Sequence, residues 1–268
     1  MLARIEPTRN ASAVMRLPKL NLTQALLMTC PQNKTLGRCV SCVVRRMGVC
    51  NALDTDELMQ FKTIASRRTI APGQHIHLAD EKPEFFGAVV SGVIKQTKIL
   101  FDGRQQVVGL LLPPDSVGHP FGRKATYFAQ AATQVELCCF PYAGFERMMA
   151  DFPGLKQRLL EQTLDELDSA LDWMVLLGRK TAEERVASLL LMLATRSSLL
   201  SEGNGRLPGQ SETFQLHLKR QEIADFLGLT YETVSRQFTI LKKAGLIEVA
   251  GRRRITVPDV DGLARAAG

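Results

Sequence analysis

The sequence predicts an α+β protein of two folded parts, a β-roll of jelly-roll type and a compact helical unit, joined by one long helix. Three observations carry that class. Short apolar segments separated by turn residues fill the region from about 65 to 142, a leucine stripe follows, and two helical stretches around a glycine then precede a basic hairpin. A chain of 268 residues is long enough for two cores. With 45% hydrophobic and 23% charged residues, the composition excludes a disordered or collagen-like chain. No apolar run approaches the roughly 20 residues of a membrane-spanning helix, so no membrane partner is expected.

The elements divide the chain into a tail over 1–29, a cysteine-rich loop over 30–53, the β-roll over 54–150, the long helix over 153–178 and the C-terminal unit over 179–268. The roll opens with a short helical stretch in which Leu58, Phe61 and Ile64 face a core. The segments 86–90, 93–100 and 107–112 then read as strands, punctuated at Pro72-Gly73, Ser91-Gly92, Asp102-Gly103 and Pro113-Pro114. His75 and His77 share a strand face and are read as exposed polar residues rather than as a metal or haem pair. The long helix starts near Pro153. Its residues Leu160, Leu164, Leu167, Leu171 and Met174 repeat at alternating intervals of four and three, the seam of a self-pairing helix, so a homodimer is expected. Gly178 marks a break, Thr181-x-x-Glu184 is a capping box for a helix buried through Val186, Leu189, Leu190 and Leu193, and 197–212 reads as a loop.

The net charge of +7 is unevenly placed. Residues 1–53 hold eight basic groups against Glu6 alone, and 216–254 hold eight basic and four acidic groups. The second patch coincides with a helix, a tight turn at Gly228, a second helix and a hairpin, which is winged helix-turn-helix organisation. With Thr230 as N-cap, the second helix buries Val234, Phe238 and Leu241, while Glu232, Ser235, Arg236 and Thr239 share the opposite side. Arg236 suits a bidentate contact to guanine, Glu232 suits a cytosine amino group, and Ser235 is short enough to sit against a base edge. Arg252, Arg253 and Arg254 occupy the hairpin tip, near where phosphates would run. An exposed charged helix face is the commoner meaning of such residues alone; here helix, turn, reading face and basic wing agree on DNA as the partner.

From about Cys39 onward the chain resembles the CRP/FNR superfamily of transcription regulators, in which β-roll, dimer helix and winged helix-turn-helix occur in this order. Glu232-x-x-Ser235-Arg236 resembles the reading motif of the FNR branch, and the stretch 164–184 resembles its alphaproteobacterial FnrL subgroup. The resemblance implies a two-fold dimer on palindromic TTGAT-type sites, and a contact to RNA polymerase at the turn around Asp102 and Gly103. Cyclic nucleotide is not expected. Where relatives place a Gly-Glu pair followed by Arg-Ser/Thr-Ala, this chain has Gly118-His119-Pro120 and Arg123-Lys124-Ala125.

Cys39, Cys42 and Cys50, with gaps of two and seven residues, bring three thiols into one segment, and an iron–sulfur cube or a tetrahedral zinc requires a fourth ligand. Cys30 is one source. The resemblance implies instead a Cys-x-x-Pro context on the roll, which Cys138 matches through Pro141. Cys139, the next strand residue, points to the opposite face and reads as an apolar filler. A [4Fe-4S] cluster responsive to oxygen is therefore expected, with zinc as the alternative, and Arg38, Arg45 and Arg46 are placed to offset its anionic charge. A zinc-stabilised or small-molecule-sensing regulator of the same fold is the rival reading, and an iron–sulfur enzyme carrying a DNA-binding domain the remote one. There is no nucleotide-binding Gly loop, nucleophile motif or acid/base pair, so no catalytic activity is expected. Asn21, Thr23 and Gln24 interrupt Leu20–Met28 and no cleavage site follows, so a cytoplasmic location is expected.

Overall fold

The structure is a computed structural model that describes residues 37–200, 211–251 and 253–268. The tail, Cys30 and Arg252 lie outside the described residues. Most of the described part of the expected cysteine loop is helical: α1 (Val43–Met47) sits between single 3-10 turns at Gly37–Cys39 and Val49–Ala52. Next, α2 (Thr55–Ile64) starts at a reciprocal cap, in which Asp54 accepts from the Glu57 amide (2.8 Å) and Glu57 accepts from the Asp54 amide (3.0 Å). That start turns Leu58 and Phe61 into the core.

The roll comprises β1 (Ser66–Ile70), β2 (His75–His77), β3 (Phe85–Ser91), β4 (Ile94–Ile99), β5 (Gln105–Leu111), β6 (Ser116–Val117), β7 (Phe128–Ala131) and β8 (Val135–Pro141). They form two four-stranded antiparallel sheets, ordered β1-β8-β3-β6 and β2-β7-β4-β5. β3 and β8 are apolar on both faces because each face meets a different core. Val89, Leu137 and Cys139 point between the sheets, whereas Phe86, Ala88 and Phe140 point outward under α2 and α3 (Tyr142–Asp151). There Phe61 meets Phe140, and Phe86 meets Phe145, each with ring centroids 4.5 Å apart. His77 departs from expectation. A register shift between His75 and His77 leaves His75 exposed and turns His77 inward against Tyr127, where burial lowers its basicity.

The long helix α4 (Pro153–Arg179) spans 27 residues with Pro153 in its first turn, where a missing amide costs nothing. It runs through Gly178 to Arg179 and is capped by Lys180, so the expected break is displaced by two residues; nothing lies within 4 Å of a Cβ at Gly178, and the helix passes it without constraint. α5 (Ala182–Leu200) begins at the Thr181–Glu184 box and extends beyond the expected loop boundary to residue 200. The remainder is β9 (Glu212–Gln215), α6 (Arg220–Leu227), α7 (Tyr231–Lys243), β10 (Glu248–Ala250), β11 (Arg254–Val257) and α8 (Val260–Ala267). β9, part of which fell in the expected loop, completes a sheet of order β10-β11-β9. Among the described residues no helix is long and apolar enough to cross a membrane.

Polar contacts dock the C-terminal unit on the roll. Lys95 pairs with Glu222 (2.7 Å), Gln106 donates to the Phe226 carbonyl (3.2 Å), and Arg196 of α5 holds Asp115 of the roll (2.8 Å). Trp173 of α4 stacks on Phe226 with centroids 4.3 Å apart. Glu166 of α4 faces the same junction. Its side chain stays exposed along the helix, but partial desolvation where it meets the roll first, and then the nearby Asp115, push its carboxyl up to about 6 against the attraction of Arg196. A raised carboxylic pKa means that the folded protein favours the protonated form, so stability present below the ordinary carboxylate range is lost as pH rises through about 6. Glu166→Gln is therefore expected to raise the melting temperature above pH 7 and to leave it unchanged near pH 4. Equal melting temperatures of variant and wild type at both pH values would contradict this reading of the junction.

Candidate functional site

The basic surface of the C-terminal unit is built from local rules. α6 ends where Gly228 enters the left-handed region (φ 62°), conformational space that glycine occupies without a Cβ penalty. Two residues later Thr230 caps α7, its hydroxyl accepting from the Thr233 amide at 3.2 Å. Val234, Phe238 and Leu241 are buried, and the Arg220 guanidinium lies 3.4 Å over the Phe238 ring, locking the two helices together. Glu232, Arg236 and Thr239 are exposed, with Ser235 half-buried between them. The α7 face anticipated from the sequence is thus open along its length. Thr239 donates to the Ser235 carbonyl (3.1 Å), so its hydroxyl is partly engaged within the helix.

The wing is the β10–β11 hairpin, turned by Gly251 at φ 62°. β9 braces it from the other edge, and the Leu216 amide donates to the Arg253 carbonyl at 2.7 Å. That bond fixes the backbone at the tip while the Arg253 and Arg254 side chains stay exposed. Arg252 lies outside the described residues.

A second constellation stands against the outward face of β8. Cys39 closes the first 3-10 turn, Cys42 precedes α1, and Cys50 lies in the second turn. The seven residues between Cys42 and Cys50 hold α1 and Gly48. A Cβ at Gly48 would come within 2.9 Å of the Val44 side chain, so only glycine lets the chain fold back this tightly. Cys39, Cys42 and Cys138 all pack on the apolar cluster that contains Cys50, whereas Cys139 is sealed among the residues between the sheets. The structure thus brings Cys39, Cys42, Cys50 and Cys138 to one side of β8 and leaves Cys139 on the other, as strand alternation requires.

Among the described residues, no group of three or more His, Cys, Asp or Glu side chains is placed to hold a single metal ion. A centre at these thiols requires them to draw together around one ion, or a polynuclear group large enough to reach them. Burial pushes the Cys138 thiol up to about 12 and the Cys50 thiol well above its ordinary value. Burial thus keeps Cys50 and Cys138 in the thiol form unless a metal displaces their protons. Among the arginines expected near the cysteines, Arg45 donates to the Cys50 carbonyl (2.9 Å) and so holds the turn, Arg38 is exposed at the edge of a cavity shared with Cys42, and Arg46 is exposed.

Two residues escaped the sequence reading. Arg67 stands opposite Cys138 in the β1–β8 register, donates to the Cys42 sulfur (3.6 Å) and pairs with Glu136 (3.1 Å). Only the strand register identifies it. Arg158, in the second turn of α4, donates to the Met47 carbonyl (2.8 Å) at the end of α1. With Leu155 buried in the same cluster as Cys50, it seats the cysteine segment on the start of α4.

Along α4 the seam residues Leu160, Leu164, Leu167, Leu171 and Met174 are 51–69% exposed, an apolar stripe on one side of the helix. Asp102 and Gly103 form an exposed turn in which Asp102 binds Arg104 (2.8 Å), beside the exposed Ile99, Leu100 and Phe101.

A sensor-type β-roll, a long helix with an open apolar seam and a helix-turn-helix with a basic wing define the class of DNA-binding transcription regulators. Residues 184–266 match the Crp-like helix-turn-helix domain family, and residues 67–152 the cyclic nucleotide-binding domain family. The chain is 45% identical over 235 residues to the transcriptional activator protein FnrL of Cereibacter sphaeroides, across 87% of this chain and 93% of that protein. It is 30% identical over 239 residues to the fumarate and nitrate reduction regulatory protein of Escherichia coli, across 86% and 90%. The solved structure of FixK2 from Bradyrhizobium japonicum matches with a TM-score of 0.68 at 31% identity, across 76% of this chain and 98% of that one. The chain belongs to the CRP/FNR family of transcription regulators.

The two arginine positions make separable predictions. Arg236→Ala is expected to cost roughly 1 to 3 kcal/mol on a matched site and to relax preference at one guanine. Arg253→Ala is expected to weaken all sequences alike and to reduce the salt dependence by about one unit of slope, since one fewer counterion is released. Fluorescence anisotropy across a salt series, on matched and scrambled duplexes, reads both effects; identical behaviour of the two variants would contradict the division between base reading and phosphate contact.

Proposed function

We propose that this protein is an oxygen-responsive regulator that binds palindromic TTGAT-type sites as a homodimer when a [4Fe-4S] cluster is held by Cys39, Cys42, Cys50 and Cys138. One observation carries the proposal: the outward face of β8 presents Cys138 to the same apolar cluster as the three N-terminal cysteines, and that cluster includes the first turn of α4. The donor set is all sulfur, which suits an iron–sulfur cube, and Arg67 and Arg45 supply positive charge beside it. When bound, such a cluster supplies a cross-link between the N-terminal segment and the roll that oxygen destroys.

The remaining steps belong to the chain. With the segment fixed, Arg158 and Leu155 hold the base of α4, and the stripe from Leu160 to Met174 is presented for pairing with a second copy. Pairing places two α7 helices on successive half-sites. With the segment released, the base of α4 loses its seat and the pairing weakens. DNA reciprocally favours the cross-linked dimer, because the two equilibria are linked. The activator names of the relatives support a role in which the Asp102–Gly103 turn meets RNA polymerase. His119 stands where nucleotide-binding relatives carry a carboxylate, which argues against a cyclic nucleotide as effector. A zinc-stabilised regulator is the second reading, because thiolates also suit zinc.

Anaerobically purified wild-type protein is expected to contain iron and sulfide in equal amounts and to absorb in the visible. Cys138→Ser is expected to lose both, while Cys139→Ser and Cys30→Ser retain them. A colourless protein containing zinc contradicts the proposal. Loss of iron in Cys139→Ser with retention in Cys138→Ser reverses the ligand assignment.

A further inference from the structure

The C-terminal carbonyls of a helix have no partners within it and carry the negative end of its dipole. Where α4 gives way to α5, two such ends meet on one side chain. Arg185 donates from Nη2 to the Leu177 carbonyl of α4 (2.7 Å), from Nε to the Lys180 carbonyl just past its end (2.9 Å), and from Nη1 to the Leu227 carbonyl, the last of α6 (3.0 Å). The Leu177 carbonyl has no helical donor available, because the Thr181 amide is turned to the Glu184 side chain (2.6 Å). A third helix end joins them through Lys180, whose ammonium donates to the carbonyls of Ala267 (2.6 Å) and Gly268 (3.1 Å) at the end of α8. Beside this joint, Trp173 of α4 stacks on Phe226 of α6, a second tie between the same two helices.

The joint adjoins the turn that aims the reading helix. Leu227 precedes Gly228, α7 starts two residues later, and the Arg220–Phe238 contact fixes α7 to α6. We propose that Arg185 is a positioning residue that fixes the angle of the reading helix relative to the dimer helix, and thereby sets the half-site spacing the protein accepts. A planar guanidinium with donors in a rigid fork reaches three carbonyls in different directions, which the single ammonium of a lysine does not. Arg185 touches no base; its effect on recognition is wholly through α6 and α7. The inference rests on the reading of the protein as a dimer on a palindrome.

The test uses the full-length protein, prepared anaerobically, and three inverted repeats of the TTGAT half-site: one at the preferred spacing, one with a base pair added and one with a base pair removed. A fourth duplex carries a single half-site. Wild type is expected to prefer one spacing. Arg185→Gln and Arg185→Lys are expected to lose roughly tenfold in affinity at that spacing, the scale of one charge-assisted hydrogen bond, and to bind the three repeats nearly alike. Their affinity for the single half-site, sedimentation and visible spectrum should match wild type. A joint that only stabilises the fold would lower affinity for every duplex together and leave the spacing preference intact, and that result overturns the inference. So does failure of both variants to fold, judged by circular dichroism. A wild-type protein without a spacing preference refutes the dimer reading, and this inference with it.

Discussion

The seating of the cysteine segment on the base of α4 is the contact on which the rest of this molecule depends. Leu155 and Phe152 share a cluster with Val44, Val49 and Cys50, and Arg158 closes it by donating to the Met47 carbonyl (2.8 Å). In the proposed function, that contact is the route by which a change at the thiols reaches the helix bearing the apolar seam. A buried aromatic bed of Phe61, Phe86, Phe140 and Phe145 supports it from below, and such packed interiors respond as units rather than by gradual deformation. The same burial disfavours thiolates at Cys50 and Cys138, so the pocket is poised against charge until a metal compensates it.

A second core forms the C-terminal unit, and α4 contributes to both, through Leu155 at its start and Leu176 near its end. At one end of α4 lies the cysteine segment; at the other, Arg185 gathers the ends of α4 and α6. Between them the roll touches α6 through Lys95 and Gln106, and α5 through Asp115. Half-buried ion pairs of this kind contribute modestly to stability. Their importance is geometric, since they determine where the helix-turn-helix stands relative to the roll.

What was legible in the sequence follows from locality. The alternation that separates Cys138 from Cys139, the Thr230 cap, the Gly228 turn and the Thr181–Glu184 box depend on neighbours a few residues away, and each occurs as the pattern requires. The seam on α4 was equally visible, because one helix face carries it. Arg67 and Arg158 were not. Arg67 acquires its place from strand register with Cys138, and Arg158 from a contact with residue 47, far away in the chain. His77 was misread because a register shift breaks the alternation on which the expectation of exposure rested. The break expected at Gly178 failed for the opposite reason: tolerance of glycine within a helix depends on surroundings that the local pattern does not contain.

The central claim is that occupancy of the cysteine site governs pairing along α4. Sedimentation velocity under anaerobic conditions, followed at once in the visible and in the ultraviolet, tests it most directly. The visible absorbance is expected to travel with a dimer, and admission of air to bleach it while the ultraviolet boundary shifts toward monomer. A boundary that stays at the dimer position after complete bleaching would contradict the account.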